Sequence, residues 1–454
     1  MVPAIPLSPQ IPPTMPGMPF LGSATDFVSS NGLSTDFLTR VQREHGDVVH
    51  FKAMKQSFYL VSDPALVRKV LLEQVQEFLK PDALPGKPRG LSRFLGRSIL
   101  TSGLEEWRPQ RKLIQPLMQH NHIAKYADTM VGMGERLLAL WRDGETRDLH
   151  ADMTQVTMWI IAETMFGLDV TQTAELEEVG RSAQKIVIDE LVSPFPSWLV
   201  GRDKKSAQIN AILTNLVTQF LADRRAQNNA DRHDLLSILL ETRDENGQPM
   251  SDQFLRDNIL TMFLAGHETT ANTLTWALYY LAQNPAILQT LEHELDTVLA
   301  GQRAPTLADL PFLPYTLMVI KETMRIQPIV PMIPRTLPVD TSLGNYHLQA
   351  GSFVLISPYV LHHDPRHWSD PETFDPTRFS AENEPTIEKY TYLPFGGGPR
   401  ICIGNHFALM EAHFILALLV SRYRLTLVPG ANVIPLRRIT CEPKDGMPML
   451  VKRR

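Results

Sequence analysis

The chain has 454 residues, of which 43% are hydrophobic and 20% charged, and its formal net charge is −5. This length and composition allow a substantial core, in two or three domains or in one large one, and no internal boundary stands out. The weak negative charge gives no reason to expect a nucleic acid or an anionic membrane as a partner.

The N-terminal segment is rich in proline. Seven of the first twenty residues are prolines, which excludes a helical signal sequence or a membrane-spanning helix in this segment. We therefore expect residues 1–25 to form a proline-rich extension and residues 26–454 to form a single domain. We also expect a soluble, cytoplasmic protein with no membrane anchor.

The first elements after this extension mix helices and strands. Apolar spacing predicts a helix from about Leu33 to Glu44, and alternation predicts a β-hairpin from Val48–Phe51 and Phe58–Val61. Pro64 suits the first turn of a further helix. The loop from Lys80 to Leu100 is rich in proline and glycine. Loops of that length in a compact enzyme usually line a site.

Helical spacing dominates the next part of the chain. Trp107 opens a helix in which Arg111, four residues later, lies on the same face. Helical patterns follow from His122 to Gly144 and, in two helices that break at Ser193–Pro196, from Ala174 to Asn228. The first of these patterns, like a further one from Met153 to Phe166, indicates core packing without chemistry, and the pair of helices shows only its break.

The longest helical pattern runs from Ser251 to Gln283, and at 1.5 Å per residue it would span roughly 50 Å. Its apolar stretch is interrupted too soon to cross a membrane. The polar run Ala265–Thr270 lies at its middle, which is a poor place for polar side chains unless they face something. A zinc-protease motif H-E-x-x-H is excluded because Ala271 stands where the second histidine would be.

The segment Phe395–Gly404 contains Cys402, one of two cysteines in the chain. A helix predicted to begin near Asn405 would direct backbone N–H groups at this sulfur and stabilise its thiolate. We therefore interpret Cys402 as the thiolate ligand of a haem iron. A dinucleotide-binding loop G-x-G-x-x-G is excluded because Ile401 replaces its last glycine. After the helix, Gly446 predicts a hairpin near the C-terminus.

This segment resembles the haem-binding signature F-x-x-G-x-R-x-C-x-G of the cytochrome P450 family. Four further segments resemble motifs of that family and occur in the family's order: W-x-x-x-R at 107–111, [A/G]-G-x-[D/E]-T at 265–269, E-x-x-R at 322–325 and P-x-R-F at 376–379. The resemblance covers residues from Val48 to the C-terminus. It implies a mainly α fold, with a large helical domain and a small β lobe.

The resemblance also implies a cofactor, haem b (iron protoporphyrin IX). The cofactor-binding residues that it implies are Cys402, Phe395, Arg400, Trp107, Arg111, Arg335 and Gly266. Cys402 would ligate the iron and Phe395 would cover the sulfur. Trp107 and Arg111 would bind one haem propionate and Arg335 the other, because the planar guanidinium suits a carboxylate.

The same resemblance implies two catalytic residues on the long helix. Glu268 would relay protons and Thr269 would donate a hydrogen bond to dioxygen. Gly266 would let the helix approach a flat ring and make room for a diatomic ligand. Glu322, Arg325 and Arg378 would form a buried triad that holds the loop of the haem ligand, although E-x-x-R is a weak motif by itself.

The implied activity is a monooxygenase reaction that inserts one oxygen atom of O₂ into an apolar substrate, such as a fatty acid or a terpenoid. Its electrons would come from a separate ferredoxin or flavodoxin with its reductase. The apolar residues that suggest a pocket are Phe94, Leu95, Phe263, Ile329, Val330, Met332 and Ile333. With Cys402 bound to iron, Cys441 has no partner for an intrachain disulfide, which suits a reducing cytosol.

Two alternatives remain open at this point. A peroxide-driven peroxygenase or a haem isomerase would not need the acid and alcohol pair, so Glu268 and Thr269 argue against it. A haem sensor without turnover is compatible with the same ligand residues. Coupling of NAD(P)H oxidation to product formation would distinguish an oxygenase from both.

Overall fold

A computed structural model describes residues 10–29, 32–83, 88, 90–167, 179–180, 182–183, 185–187, 201–226, 234–243, 247–300 and 303–454. The helix break predicted at Ser193–Pro196 lies outside these residues. The described part is mainly helical, with small β-sheets, as expected from the sequence.

The helices of eight or more described residues are α1 Thr35–His45, α2 Leu104–Ile114, α3 Ala127–Leu138, α4 Leu149–Phe166, α5 Arg202–Ala226, α6 Asp252–Gln283, α7 Pro285–Val298, α8 Pro314–Ile326 and α9 Asn405–Arg422. Shorter α-helices are Ala24–Phe27, Pro64–Arg68, Ser92–Leu95, His120–Ile123, Leu235–Glu241 and Pro358–His362, and Lys69–Glu73 is a π-helical turn. The 3₁₀ turns are Pro81–Ala83, Gln115–Met118, Ala124–Tyr126, Leu307–Phe312, Pro376–Phe379, Glu384–Thr386 and Gly398–Arg400.

Local signals set the ends of the long helices. The Ser251 hydroxyl caps α6 by accepting a hydrogen bond from the backbone N–H of Phe254 at 3.2 Å, which satisfies one of the free donors of the first turn. The Asp148 carboxylate does the same for α4, from His150 at 3.1 Å. Pro285 begins α7, at a position where its missing N–H costs no hydrogen bond.

The strands are β1 Val28–Ser29, β2 Gly32–Leu33, β3 Val48–Ala53, β4 Gln56–Val61, β5 Thr146–Asp148, β6 Ile333–Thr336, β7 Thr341–Leu343, β8 Tyr346–Leu348, β9 Phe353–Ile356, β10 Tyr423–Leu427, β11 Pro435–Arg437, β12 Cys441–Pro443 and β13 Pro448–Arg453. One mixed sheet has the order β3-β4-β9-β6, and its hairpin β3–β4 pairs Val48 with Val61. The other described strands form the groups β10-β13-β5, β1-β2-β11-β12 and β7-β8.

Helix α6 is the centre of the helical domain, where it packs against α4, α5, α8 and α9. Some of its polar side chains are buried and bond within the helix: Thr275 is fully buried and donates to the carbonyl of Ala271 at 2.7 Å. With 32 residues, α6 is about 48 Å long. Across the part of the chain that the structure describes, no helix is both long and apolar enough to cross a membrane.

The E-x-x-R pair of α8 is buried rather than on the surface. Glu322 and Arg325 are both 0% exposed and form two hydrogen bonds, at 2.7 and 2.8 Å. Arg325 also donates to the carbonyls of His362 and Pro371, and Arg378 lies 3.5 Å from the Glu322 carboxylate. The three residues of the expected triad therefore come together, and they tie α8 to the segment that precedes the Cys402 loop.

His362 extends this network to the Cys402 loop. Its Nδ1 contacts the carbonyl of Arg325 at 3.1 Å, and its Nε2 accepts from the backbone N–H of Leu393 at 2.8 Å. The carbonyl of Leu393 in turn accepts from the backbone N–H of Gly396. A continuous path of hydrogen bonds therefore connects the buried ion pair to the loop.

Two local predictions need correction. The helix predicted from His122 to Gly144 is divided by a 3₁₀ turn at Ala124–Tyr126, and its main part ends at Leu138. Gly446 has a φ of 80° and makes a turn, but β12 and β13 on either side of it belong to different sheets. The hairpin of this region is β11–β12 instead, because the turn at Gly446 redirects β13 to pair with β10.

Candidate active site

The loop Phe395–Gly404 makes a tight turn before α9. Gly396 and Gly398 have φ angles of 74° and 67°, a left-handed conformation that favours glycine. A Cβ at Gly398 would lie 1.9 Å from the carbonyl oxygen of Leu71 in the π-helical turn. The path of the loop therefore requires glycine at this position, since its packing against Leu71 leaves no room for a side chain.

Cys402 follows this turn, and its backbone N–H donates to the carbonyl of Phe395 at 2.9 Å. Burial raises the pKa of the Cys402 thiol, whereas the backbone N–H of Gly404 and the Arg111 guanidinium lower it. Arg111 is held beside the loop, since its Nη1 donates to the carbonyl of Ile401 at 2.8 Å. Gly404 and Arg111 are thus the groups that stabilise a thiolate at Cys402.

A cavity of about 230 Å³ lies against Cys402. Arg111, Gln115 and His120 line it on one side, and Cys402 and His406 on the other. Cys402 is exposed and borders this cavity, and the protein atoms packed around its sulfur raise the pKa of its thiol. The C-terminal end of α2 therefore lies close to the cysteine.

Trp107 and Arg400 pack together beside this loop. Trp107 is 7% exposed, and the Arg400 guanidinium lies 4.5 Å from the centre of its indole ring, at cation–π distance. The Nη2 of Arg400 donates to the carbonyl of Ser102 at 2.8 Å, whereas its Nη1 is buried without a hydrogen-bond partner. One nitrogen of this guanidinium is thus left to bind a group from outside the protein.

Three cationic side chains, those of Lys80, Arg335 and Arg400, influence one another electrostatically. Burial lowers the pKa of Arg335 and of Arg400 to about 10, and Arg335 contributes to the change at Arg400. Burial and these two arginines lower the pKa of Lys80 to about 7. In the described part of the chain, none of the three forms an ion pair with a carboxylate. Sequence reasoning missed Lys80, because no local pattern distinguishes it from a surface lysine.

The segment 96–102 positions two of these cations. Its backbone is anchored to the start of α6, since Asp257 accepts from the N–H of Arg97 at 2.8 Å and Asn258 from the N–H of Ile99 at 3.0 Å. The carbonyls of Leu100 and Ser102 accept hydrogen bonds from Lys80 and Arg400, respectively. This part of the loop predicted from Lys80 to Leu100 is therefore a fixed support for the cationic cluster.

The middle of α6 borders an open space. Ala265 is exposed, and Leu264, Gly266, Glu268 and Thr269 are partly exposed, although buried residues flank this strip on both sides along the helix. A solvent-accessible strip in the middle of a largely buried helix indicates a cavity beside it. The strip coincides with the polar run that the sequence singled out.

Thr269 and Gly266 behave differently from one another. The Thr269 hydroxyl donates to the carbonyl of Ala265 at 3.0 Å, so in this structure it bonds to the backbone of its own helix. A Cβ at Gly266 would lie 2.6 Å from a side-chain carbon of Ile161 on α4. The absence of a side chain at Gly266 therefore lets α6 pack closely against α4, and the room that Gly266 would make for a ligand stays a prediction.

Glu268 bonds to a residue that is distant in sequence. The Thr440 hydroxyl, at the turn of the β11–β12 hairpin, donates a hydrogen bond to the Glu268 carboxylate. The hairpin is fixed nearby, since the carbonyl of Cys441 accepts from the Trp276 indole at 3.0 Å and its backbone N–H donates to Ile329 at 2.7 Å. Thr440 was not foreseen from the sequence, which gives no sign of a contact across more than 170 residues.

The expected apolar pocket wall is only partly correct. Phe94, Leu95 and Phe263 are at most 3% exposed, so they belong to the packed core instead of lining free space. Phe263 packs against Phe166, with ring centres 6.1 Å apart. Val330 is 36% exposed, and Leu264, Ala265, Met332 and Ile333 are also open in part. These five residues are the better candidates for the wall.

The residues of the site fit the haem that the sequence led us to expect. Buried cations without carboxylate partners need anions, and the unpartnered Nη1 of Arg400 is such a donor. Haem supplies two carboxylates and an iron that binds a thiolate. The cationic cluster would hold the carboxylates, Cys402 would hold the iron, and the open strip of α6 would face the opposite side.

The comparisons with known proteins agree with this geometry. The family described as Cytochrome P450 matches residues 12–446. Cyclooctatin synthase of Streptomyces melanosporofaciens is 36% identical over 401 residues, which are 86% of this chain and 85% of that protein. Cyclooctat-9-en-7-ol 5-monooxygenase of the same organism is 34% identical over 86% of this chain and 84% of its own length. Pentalenene oxygenase of Streptomyces avermitilis is 30% identical over 87% and 88%.

Proposed function

Because this chain belongs to the cytochrome P450 family of monooxygenases, we propose that it oxygenates a terpenoid substrate, with Cys402 as the iron ligand of its haem b. The reaction is R–H + O₂ + two electrons + two protons giving R–OH and water. The observation that carries the proposal is the open strip of α6, which combines apolar side chains with Glu268 and Thr269. We also propose that residues 26–454 are one catalytic domain, located in the cytoplasm.

Haem bound through a thiolate supplies the activation of dioxygen, because the sulfur donates electron density to the iron. The protein's part is to keep Cys402 deprotonated and in place. Arg111 and the backbone N–H of Gly404 favour the thiolate electrostatically. Arg335 and Arg400 would bind the haem carboxylates.

Glu268 and Thr269 move protons on the other side of the site. Thr269 Oγ1 now bonds to the carbonyl of Ala265, and it can hold a water molecule with its lone pairs. The Glu268 carboxylate, fixed by Thr440, takes protons from solvent and passes them to this water. Positioned proton transfer of this kind accelerates a step by about a hundred- to ten-thousand-fold.

The substrate is apolar in this proposal because carbon side chains predominate around the acid and alcohol. Leu264, Ala265 and Val330 are open to the site or to its rim. The names of two relatives, cyclooctat-9-en-7-ol 5-monooxygenase and pentalenene oxygenase, denote enzymes that act on terpenoids. We therefore favour a cyclic terpenoid over a fatty acid.

The electron donor in this proposal is a ferredoxin or a flavodoxin, served by a separate reductase. It would dock over the cavity beside Cys402, because this places it closest to the iron ligand. Arg108 and Lys112 are exposed on α2 at this face and would attract an acidic protein. Glu105, 91% exposed and 3.9 Å from Arg108, offsets part of that charge.

Turnover under ¹⁸O₂ tests the proposal. Purified protein, a ferredoxin with its reductase and NADPH would be incubated with a panel of cyclic terpenoids and, in parallel, with fatty acids. We expect spectral evidence of water displacement from the iron and one ¹⁸O atom in the product for a terpenoid. Oxygenation confined to fatty acids would overturn the substrate class, and products without ¹⁸O would overturn the oxygenase chemistry.

A further inference from the structure

His362 is a fully buried histidine at the end of the short helix Pro358–His362, and both of its ring nitrogens have partners. Nδ1 lies 3.1 Å from the carbonyl oxygen of Arg325, and Nε2 lies 2.8 Å from the backbone nitrogen of Leu393. Arg325 also donates from Nη1 to the carbonyl of His362 at 2.9 Å. The ring of His362 is therefore fixed between the buried ion pair and the segment that leads to Cys402.

The two partners determine which nitrogen of this ring carries the proton. A carbonyl oxygen only accepts hydrogen bonds, so Nδ1 is protonated, and a backbone N–H only donates, so Nε2 offers its lone pair to Leu393. Burial, together with His363 and the Arg325 charge, holds the pKa of His362 well below its usual value of 6.5. The neutral ring that the hydrogen bonds require is thus also the one that its surroundings favour.

Leu393 begins the turn that leads into the Cys402 loop. Its carbonyl accepts from the backbone N–H of Gly396 at 3.2 Å, and the carbonyl of Phe395 accepts from the backbone N–H of Cys402 at 2.9 Å. Leu393 is 4% exposed, so water reaches its N–H poorly. Because an unpaired N–H in such a place is costly, the turn would have to move if His362 no longer accepted this bond.

We propose that His362 is a positioning residue for the iron ligand: its Nε2 lone pair fixes the N–H of Leu393, and through it the turn that presents Cys402. This inference rests on the proposed function, since it requires Cys402 to bind the haem iron. It assigns the position of the loop to one hydrogen bond rather than to the charges of Glu322 and Arg325. Arg325 acts through its carbonyl oxygen, which selects the tautomer of the ring.

A second contact holds the same segment and leaves the Leu393 N–H to His362. The Tyr392 hydroxyl donates to the carbonyl of Lys321 on α8 at 2.8 Å, and its ring packs against the ring of His362, with centres 5.2 Å apart. Tyr392 therefore keeps this segment on α8 when the bond from Leu393 is lost. Loss of that bond should shift the turn without releasing the segment, so the iron ligand should respond more strongly than the stability of the fold.

Two variants of similar length isolate the hydrogen bond. His362→Gln keeps an oxygen that can accept from Leu393, whereas His362→Met fills a similar space without a strong acceptor. The matched control is His363→Met. His363 is also buried, and its Nδ1 contacts the carbonyl of Tyr359 at 2.9 Å, so its replacement disturbs the packing beside His362 and leaves the bond to Leu393 in place.

The spectrum of the reduced carbon monoxide complex, at equal haem content, is the first readout. A long-wavelength band reports haem bound through a thiolate, and a band at shorter wavelength reports haem that has lost it. We expect the ratio of these bands to fall about tenfold in His362→Met, as the loss of one hydrogen bond by a buried group implies. The ratio should stay near the parent value in His362→Gln and His363→Met. Equal ratios in the glutamine and methionine variants would overturn the proposal, and so would an equal fall in His363→Met.

The haem-free protein gives two further readouts. Hydrogen exchange at the N–H of Leu393 should be faster in His362→Met than in His362→Gln. In a Cys441→Ala background, iodoacetamide should alkylate Cys402 severalfold faster in His362→Met, because a displaced turn leaves the sulfur less enclosed. Parent rates of both exchange and alkylation in His362→Met would contradict the proposal.

Urea unfolding separates positioning from folding. His362→Met and His363→Met should lose similar stability, while only His362→Met changes the spectrum. If His362→Met does not fold, His362→Asn, which keeps a polar group near Nδ1 but is too short to reach Leu393, replaces it in every measurement. A parent protein without the long-wavelength band would instead overturn the assignment of Cys402 on which the proposal rests.

Discussion

The Thr440 hydroxyl donates a hydrogen bond to the Glu268 carboxylate and thereby joins the β11–β12 hairpin to the middle of α6. The hairpin is anchored independently, through Trp276 of α6 and the backbone of Ile329. Glu268 is therefore held in part by a hairpin that is itself anchored to α6 and to the backbone of Ile329. A side chain that relays protons benefits from such a fixed orientation.

We predict that Thr440→Val lowers the product formed per NAD(P)H oxidised, by about two- to tenfold, and raises hydrogen peroxide accordingly. Valine keeps the shape of threonine but removes the donor to Glu268, so the carboxylate loses one hydrogen bond that orients it. Thr440→Ser keeps the hydroxyl and should stay close to the parent. Equal coupling in the valine and serine variants would show that the hydrogen bond has no part in proton delivery.

Thr269→Ala should uncouple the enzyme more strongly than any change at its neighbour Thr270. Alanine preserves the helix but removes the hydroxyl that faces the open strip, so protons arrive less often and oxygen leaves as peroxide. Thr270 is buried and its hydroxyl bonds to the carbonyl of Gly266. The measurement is the product formed per NAD(P)H oxidised, for Thr269→Ala and Thr270→Ala at equal haem content. It shows which of the two threonines takes part in proton delivery. If only Thr270→Ala uncouples, we have assigned the wrong threonine.

Glu411 on α9 gives a pH-dependent test of the core. It is fully buried, neither carboxylate oxygen has a hydrogen-bond partner of ordinary geometry, and burial raises its pKa well above the usual value of 4.5, with the Thr270 hydroxyl opposing the rise. The folded protein therefore keeps it protonated, whereas the unfolded chain loses the proton above about pH 4.5. Unfolding then releases a proton, so this group lowers stability as the pH rises.

Glu411→Gln should remove that effect, since an amide has the same shape and no charge to lose. We expect the stability of the glutamine variant relative to the parent to increase with pH between 5 and 8, by at most about 1.4 kcal/mol per unit. Urea unfolding at each pH measures the difference. A pH-independent difference would mean that Glu411 is ionised in the folded protein.

Docking of the electron donor should depend on Lys112 more than on Arg108. Both are exposed on α2, but Glu105 lies 3.9 Å from Arg108 and offsets its charge. We expect Lys112→Glu to slow electron transfer from a ferredoxin by about tenfold at low salt, and Arg108→Glu to slow it less. The differences should shrink as ionic strength rises. Parent rates in both variants at every salt concentration would place the docking surface elsewhere.

Much of the fold was predictable because its signals are local. Helix α6 was predicted from Ser251 to Gln283 and runs from Asp252 to Gln283, since a serine cap and an Asn-Pro stop mark its ends. The hairpin β3–β4 followed from alternation alone. The Cys402 loop was found through its glycines, and the structure shows why Gly398 is required at Leu71.

The parts that were missed depend on distance in the chain. Lys80 is notable because Arg335 and Arg400 influence its charge, and Thr440 because it bonds to Glu268. These partners are distant in sequence, and local patterns do not predict such contacts. Phe263 was assigned to the pocket because the sequence does not distinguish an apolar residue that lines a cavity from one that fills the core. Likewise, the neighbour that a side chain at position 266 would contact is Ile161, which belongs to another helix.

The central claim is that Cys402 is the thiolate ligand of the haem iron, and the spectrum of the reduced carbon monoxide complex tests it most directly. Cys441 is the matched control: it is buried, Gln327 donates to its sulfur at 2.7 Å, and burial raises its pKa to about 11. We predict that the parent and Cys441→Ala show the long-wavelength band characteristic of thiolate-ligated haem, and that Cys402→Ala does not. An unchanged band in Cys402→Ala, or its loss in Cys441→Ala at full haem content, would contradict this account.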